Sequence, residues 1–374
     1  MIVFASGGSG GHIVPSLAVA DELARLAPGV RCCVMHSTRA IDARVLSPEP
    51  WPHIAIPARP LNARPLKFVR GVCALPGAAS CARRVLAGEH PEAPWRATHL
   101  VTLGGFVAAP AVLAARALGV PITMINIDAV AGLANRVLGR FAATRFAAAY
   151  AQPRWTTVPP IVRRAMLDPI DARTARTAHG LDPDRPTVLV TGGSLGARSL
   201  NRFVLAFAEH QTTALDEGQI LHHAGELDHE DVRACYERLG VRARAVAFLD
   251  SFARAWRAAD LAICRGGAGT VAEAWATATP ALIMPNPYHR DHHQRANATP
   301  LIECGAAIVA DDHVEASANY DAHADTLVGL LTEPARCTAM RRTFDALGPA
   351  DGALQIAQFL YAADTHGVGA AESR

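Results

Sequence analysis

Three times along the chain a short apolar run ends in a glycine pair. Ile2 to Ala5 precedes Gly7-Gly8-Ser9-Gly10-Gly11-His12, His99 to Leu103 precedes Gly104-Gly105-Phe106, and Thr187 to Val190 precedes Gly192-Gly193-Ser194-Leu195-Gly196. Apolar residues then recur at helical spacing: Leu17, Val19, Ala20, Leu23 and Leu26 behind the first loop, and Leu200, Phe203, Val204 and Phe207 behind the third. A buried strand, a glycine turn and an amphipathic helix form the repeating unit of a parallel α/β sheet. The first and third units predict the openings of two similar halves.

Between the halves, Pro153 to Pro169 contains prolines 153, 159, 160 and 169 and little periodicity. A second such stretch, Asp182-Pro183-Asp184-Arg185-Pro186, stands just before the third strand. The expected boundary lies near residue 163, giving domains 1–162 and 163–350, with the prolines as a hinge. Ala353, Ile356, Ala357, Phe359 and Leu360 predict a final helix over about 351–364 that packs back on the first half.

A length of 374 residues, half of them hydrophobic, supplies core enough for two domains. The net charge of +2 lacks the basic excess of a nucleic-acid-binding domain, so no nucleic-acid partner is expected. Eight cysteines stand at 32, 33, 73, 81, 235, 264, 304 and 337, and no pair has the two-residue spacing of metal ribbons or redox motifs. They read as reduced, small apolar residues, which suits a reducing cytoplasm. Met1 to Ala5 has no basic start and is not a secretion signal, and no uncharged apolar run approaches the roughly 20 residues of a membrane span.

A glycine loop opening a helix lets backbone N–H groups approach an anion, and the helix dipole favours negative charge there. Such a loop is also a common steric solution for a strand-to-helix turn. Two rich loops opening two matching halves point to phosphate binding. The dinucleotide fingerprint of an oxidoreductase needs glycines at its first, third and sixth positions and an acid about 20 residues on. From Gly8 the chain gives Gly10 but then Ile13, and the candidate second strand, Val30 to Met35, ends in His36-Ser37-Thr38-Arg39 without a carboxylate. Arg39 keeps a phosphorylated ribose open as a weaker reading. The Walker loop is absent, since no Gly-Lys-Ser or Gly-Lys-Thr occurs.

The richest stretch runs from Ala247 to Leu301. Phe248-Leu249-Asp250 precedes a buried strand, Ala259 to Cys264, followed by Arg265-Gly266-Gly267-Ala268-Gly269-Thr270-Val271-Ala272-Glu273. A helix starting near residue 268 would aim its free N–H groups at a diphosphate. Glu273, expected in the first turn or so, either accepts both ribose hydroxyls or serves as a dipole-favoured acid. A further strand, Ala281 to Met284, leads to Asp291-His292-His293-Gln294 and Asn297, polar tips suited to sugar hydroxyls. His289, His292 and His293 have no thiolate or carboxylate set beside them, so no metal site is expected.

These motifs resemble the MurG family. The resemblance rests on Gly7 to His12 with Pro15, Gly104-Gly105-Phe106 with Pro110, Ala131-Gly132-Leu133 with Asn135, Gly192 to Arg198 with Asn201, Arg265 to Glu273, and Asp291 to Gln294 with Asn297-Ala298, in the family's order over nearly the whole chain. It implies a GT-B fold, two Rossmann-like domains with parallel sheets facing across a cleft. It further implies inverting transfer of N-acetylglucosamine from UDP-N-acetylglucosamine to a lipid-linked muramyl-pentapeptide acceptor, by a cytoplasmic protein peripheral on the inner face of the plasma membrane.

By similarity, Leu249 would contact uracil and Glu273 the ribose. Ser194 and Ala268-Gly269-Thr270 would hold the diphosphate, Gln294 would read the sugar hydroxyls, and Arg163 would lie near the phosphates. Ser9, Gly10 and Gly11 would line the cleft from the other side. No cofactor is expected, because helix dipoles and Arg163 would stabilise the leaving diphosphate.

His12 is the first candidate for the base, since imidazole titrates near neutrality. The alternative is a structural ring that fixes the glycine loop through a backbone contact. The chain departs from the family where a His-Glu-x-Asn run is usual: Ile125-Asn126-Ile127-Asp128 stands there, and Asp128 becomes a second candidate as base or donor-sugar ligand. Pro160-Ile161-Val162 replaces the Asn-Pro pair expected ahead of Arg163.

Arg64, Lys67, Arg70, Arg83 and Arg84, interspersed with Leu66, Phe68, Val69 and Leu75, suit an anionic membrane surface. An ordinary amphipathic segment with solvated charges fits them equally. Three functional alternatives remain: a transferase with another lipid or polysaccharide acceptor, a UDP-sugar epimerase, and a non-catalytic UDP-sugar sensor.

Overall fold

The computed structural model describes residues 1–8, 10–60, 65–193, 196–289 and 291–371. The chain forms two units, one of residues 1–164 with the C-terminal stretch from Asp351, the other Ala165–Ala350.

The first unit is built on a parallel sheet of β1 (Ile2–Ala5), β2 (Cys32–Ser37), β3 (His53–Ile56), β4 (His99–Thr102), β5 (Ile122–Asn126), β6 (Thr144–Ala148) and β7 (Thr156–Val158). Its order is β3-β2-β1-β4-β5-β6-β7. Helices α1 (Gly10–Leu26), α2 (Ala40–Leu46), α3 (Pro65–Ala87), α4 (Gly105–Leu118) and α5 (Leu133–Leu138) connect the strands. Every residue of β1 and β2 is buried, as expected of central parallel strands covered on both faces. Cys32 and Cys33 point to opposite faces as neighbours on a strand must, and both are buried. Burial pushes both thiols up to about 12, so they pack as apolar groups.

The second unit contains α6 (Ala172–Ala178), β8 (Thr187–Thr191), α7 (Arg198–His210), β9 (Gln219–His223), α8 (His229–Leu239), β10 (Ala243–Val246), α9 (Phe252–Ala258) and β11 (Leu261–Cys264). It continues through α10 (Ala268–Thr277), β12 (Ala281–Ile283), α11 (His293–Glu303), β13 (Ala307–Val309), α12 (Ala316–Thr332) and α13 (Pro334–Arg342). The sheet is again parallel, in the order β10-β9-β8-β11-β12-β13. Leu200, Phe203, Val204 and Phe207 of α7, the stripe legible in the sequence, fill a core with Val188, Val190 and Tyr236.

Helix α14 (Gly352–Ala371) belongs to the first unit. Ile356, Ala357 and Leu360 are buried, and Phe359 meets Phe146 edge to face at 5.2 Å. The Gly352 N–H donates to the Pro160 carbonyl at 3.1 Å and fixes where the helix begins.

Each sheet reverses its strand order once, between β1 and β4 in the first and between β8 and β11 in the second. Connections leave such strands in opposite directions and open a crevice at their carboxyl ends, where α/β proteins bind ligands. Gly7–Gly8, Gly104–Gly105, Gly192–Gly193 and Arg265–Gly267 stand at these two places.

Candidate active site

In the second unit, β11 ends at Cys264 and α10 starts at Ala268. Gly267 caps this helix in extended conformation, without a side-chain hydrogen bond to the first amides. The N–H groups of Ala268, Gly269 and Thr270 therefore have no intrahelical or capping partner, and the positive end of the dipole stands over them. Gly266 is required by close approach: a Cβ there would sit 2.2 Å from the Gln294 carbonyl oxygen. Asn297 completes this contact by donating to the Gly266 carbonyl at 3.1 Å.

Glu273 lies in the second turn of α10 rather than the first, because the helix begins at Ala268. Its Oε2 accepts from the Trp256 indole at 2.8 Å. Burial raises its carboxyl to about 7, against a lowering by the indole bond. Part of its surface stays open, but closely packed neighbours still desolvate the carboxylate. Gln294, in the first turn of α11, accepts the Asn286 N–H at 2.8 Å. Leu249 is half-buried just beyond β10. Ser194 lies outside the described residues.

A cavity of about 360 Å³ opens beside Gly192 and Gly196, lined also by Arg198, Arg202, Arg265 and Gln294. Its floor is cross-tied by an ion pair that no sequence motif announces. Arg265 Nη2 meets Asp312 Oδ2 at 2.8 Å, and Nη1 donates to the Met284 carbonyl at 2.8 Å. Ser199 donates to the same Asp312 oxygen at 2.6 Å. Burial works to raise the Asp312 carboxyl, but hydrogen bonds from Ser199, Asn319, Val314 and Arg265 outweigh it and hold the group below its usual range. Val314, a β-branched residue at φ 69°, is pinned there by its N–H bond to Asp312.

His289 and His293 stack at 4.5 Å, and His293 bonds to Asp291 at 2.7 Å. Among the described residues, no three His, Cys, Asp or Glu side chains converge in a metal-holding group.

In the first unit, buried Asp42 organises the first glycine loop. Its Oδ2 accepts from the Gly8 N–H at 2.7 Å, the Ser37 N–H at 3.1 Å and the Ser37 hydroxyl at 2.5 Å. Arg39, which the sequence left open as a ribose-phosphate ligand, donates instead to the Gly8 carbonyl at 2.7 Å and lies over the Phe106 ring. Gly10 and Gly11 open α1; Ser9 lies outside the described residues.

His12 hydrogen-bonds the Gly7 backbone and packs against Gly105, where a Cβ would come within 3.3 Å of its Nδ1. Burial lowers its pKa, Asp128 and the Gly7 bond work the other way, and the neutral ring dominates at pH 7. Asp128 sits on a braced loop: its carbonyl accepts from Asn126 and from Gln152, and Asn126 is held by Asn135 at 2.8 Å.

Arg163 is committed within the first unit. Its Nη1 and Nη2 reach both oxygens of Glu49 at 2.9 and 3.1 Å, and Nε meets Asp21 at 2.9 Å.

Comparison with known proteins agrees with this architecture. The crystal structure of MurG from Acinetobacter baumannii superposes with a TM-score of 0.72 at 25% identity, covering 96% of this chain and 98% of that one. A UDP-GlcNAc 2-epimerase from Neisseria meningitidis matches at TM-score 0.63 and 14% identity, covering 96% and 100%, a likeness of fold alone. Two parallel α/β units with glycine loops at their switch points thus define a GT-B glycosyltransferase fold. The models of the glycosyltransferase family 28 N-terminal and C-terminal domains match residues 2–147 and 187–330. A Nocardioides protein named UDP-N-acetylglucosamine–N-acetylmuramyl-(pentapeptide) pyrophosphoryl-undecaprenol N-acetylglucosamine transferase is 35% identical, covering 96% of this chain and 97% of its own. The chain belongs to glycosyltransferase family 28, in its MurG family.

Proposed function

We propose that the protein transfers N-acetylglucosamine from UDP-N-acetylglucosamine to a lipid-linked muramyl-pentapeptide acceptor, with inversion at the anomeric carbon. The observation that carries this reading is the opening of the second unit's switch point. Uncapped amides of Ala268, Gly269 and Thr270 stand one turn before a carboxylate fixed by Trp256. Similarity at 35% and 30% identity, over 96% and 95% of this chain, to transferases of that name supports the same donor and acceptor.

In this reading the amides of α10 and the loop around Ser194 hold the diphosphate, and Leu249 abuts uracil. Glu273 accepts the ribose hydroxyls and Gln294 binds the sugar. The acceptor hydroxyl oxygen attacks the anomeric carbon as the bond from that carbon to the UDP oxygen breaks. His12 takes the hydroxyl proton, a role suited to a ring that burial keeps neutral. The bond to Gly7 and the base role are compatible, because one ring nitrogen can be oriented while the other accepts the proton. Asp128 favours the imidazolium that forms. Ser9, Gly10 and Gly11 border the acceptor, and helix dipoles stabilise the departing diphosphate. In this reading Arg163 lies near those phosphates, which requires it to leave Glu49 and Asp21.

The first unit takes the acceptor and the membrane side. Phe68, Val69 and Val72 of α3 are exposed, with Arg70, Arg83 and Arg84 on the same helix. Arg64 and the side chains of Leu66 and Lys67 lie outside the described residues. No described helix is long and apolar enough to cross a membrane. This mixture suits an anionic surface on the inner face of the plasma membrane.

The test is incubation with labelled UDP-N-acetylglucosamine, with and without lipid-linked muramyl pentapeptide. Release of UDP with label in the lipid fraction supports the reading. A changed free sugar would point to epimerisation, and binding without turnover to a sensor.

A further inference from the structure

Among the described residues, three arginines line the second-unit cavity, and two of them are already neutralised. Arg265 is paired with Asp312 at 2.8 Å, and Arg198 meets Asp228 through Nε and Nη2 at 3.2 and 3.1 Å. Arg202 stands one helical turn beyond Arg198 on α7, exposed at the cavity, and forms no hydrogen bond or ion pair with any described residue. No acidic side chain belongs to the lining among the described residues. Among the described residues the wall therefore carries one uncompensated positive charge beside the third glycine loop.

A guanidinium offers five N–H donors in a planar fork, matched to the paired oxygens of a phosphoryl group. The alternative cation, Arg163, is shared between Glu49 and Asp21 in the first unit. We propose that Arg202 grips the diphosphate of the sugar nucleotide and makes the second unit discriminate a nucleoside diphosphate from its monophosphate. This rests on the UDP-sugar reading above and adds a residue and a selectivity to it. Arg202 is free to swing until the anion arrives, whereas Arg198 and Arg265 hold the walls in place.

The test is calorimetric titration of the full chain with UDP and with UMP, for wild type, R202Q and R202K. Wild type is expected to prefer UDP. R202Q should lose about tenfold or more in UDP affinity, the scale of a charge-assisted hydrogen bond, with UMP affinity unchanged. R202K should recover part of the loss, and added salt should weaken UDP binding more in wild type than in R202Q. An exposed side chain without partners among the described residues leaves the fold unaffected when replaced, and an unchanged melting curve checks this.

Equal UDP affinity in R202Q and wild type would overturn the proposal. So would equal losses for UDP and UMP. Failure of the wild type to bind UDP at all would remove the donor reading and Arg202's role together, and that result is read without any variant.

Discussion

The indole Nε1 of Trp256 donates to Oε2 of Glu273 at 2.8 Å and ties α9 to the second turn of α10. Burial raises the carboxyl to about 7 while this bond opposes the rise. The ionised carboxylate accepts from the two hydroxyls of a ribose more strongly than the protonated acid, which spends one oxygen as a donor. Donor KM should therefore fall as pH rises from about 6 to about 8, as the raised carboxyl loses its proton. E273A should raise KM about tenfold or more and flatten the profile. W256F removes the opposing bond, so its profile should move to higher pH. Initial-rate kinetics across this range decide the matter, and a pH-independent KM in the wild type would remove Glu273 from the ribose site.

Arg265 and Asp312 hold the cavity floor with side chains that are 8% and 0% exposed. Removing one partner strands the other without a counter-ion, a cost of about 3–5 kcal/mol for such pairs. D312A should show that loss in urea unfolding at pH 7, whereas an apolar replacement of both residues should lose much less. Because the folded carboxyl lies below its ordinary value of 3.8, the contribution is complete above that pH and fades as pH falls through the folded pKa. A D312A unfolding midpoint equal to wild type would contradict this.

The parts of the site that were legible in the sequence are those whose signal is local. Glycine turns, strand runs and the stripe of Leu200, Phe203, Val204 and Phe207 are set within a few residues, and they located both switch points. Asp312 was not legible, because its meaning depends on Ser199, 113 residues away, and on Arg265. Asp42 was hidden likewise, an ordinary helical acid until β2 brings it under Gly8, 34 residues away. Trp256 reads as core and is fully buried, yet its indole edge is what fixes Glu273. Arg39 kept a nucleotide role open only because its link to the Gly8 carbonyl spans 31 residues.

On α3, Phe68 and Val69 are 50% and 54% exposed, more than an apolar pair on a solvated helix face needs. If this face lies on lipid, F68S with V69S should reduce the partition into vesicles containing anionic lipid by about thirtyfold or more, since burial of each such side chain contributes about 1–2 kcal/mol. Turnover of a short-chain, water-soluble acceptor should be unchanged. Undiminished vesicle binding would assign this face to solvent.

His12 tests the chemistry itself. H12A should lower kcat by about a hundredfold or more while UDP affinity is retained, the range for loss of a positioned base. A ring that served only to fix the glycine loop would affect donor or acceptor binding at least as much as turnover. Asp128 supplies the sharper arm, because its charge raises the His12 pKa against the lowering by burial. The base works when unprotonated, so the rising limb of the kcat profile follows that pKa. D128N removes the negative charge, lowers the pKa further and should carry the limb to lower pH. An unmoved limb, with near-normal turnover in H12A, would take the proton transfer away from this pair of residues.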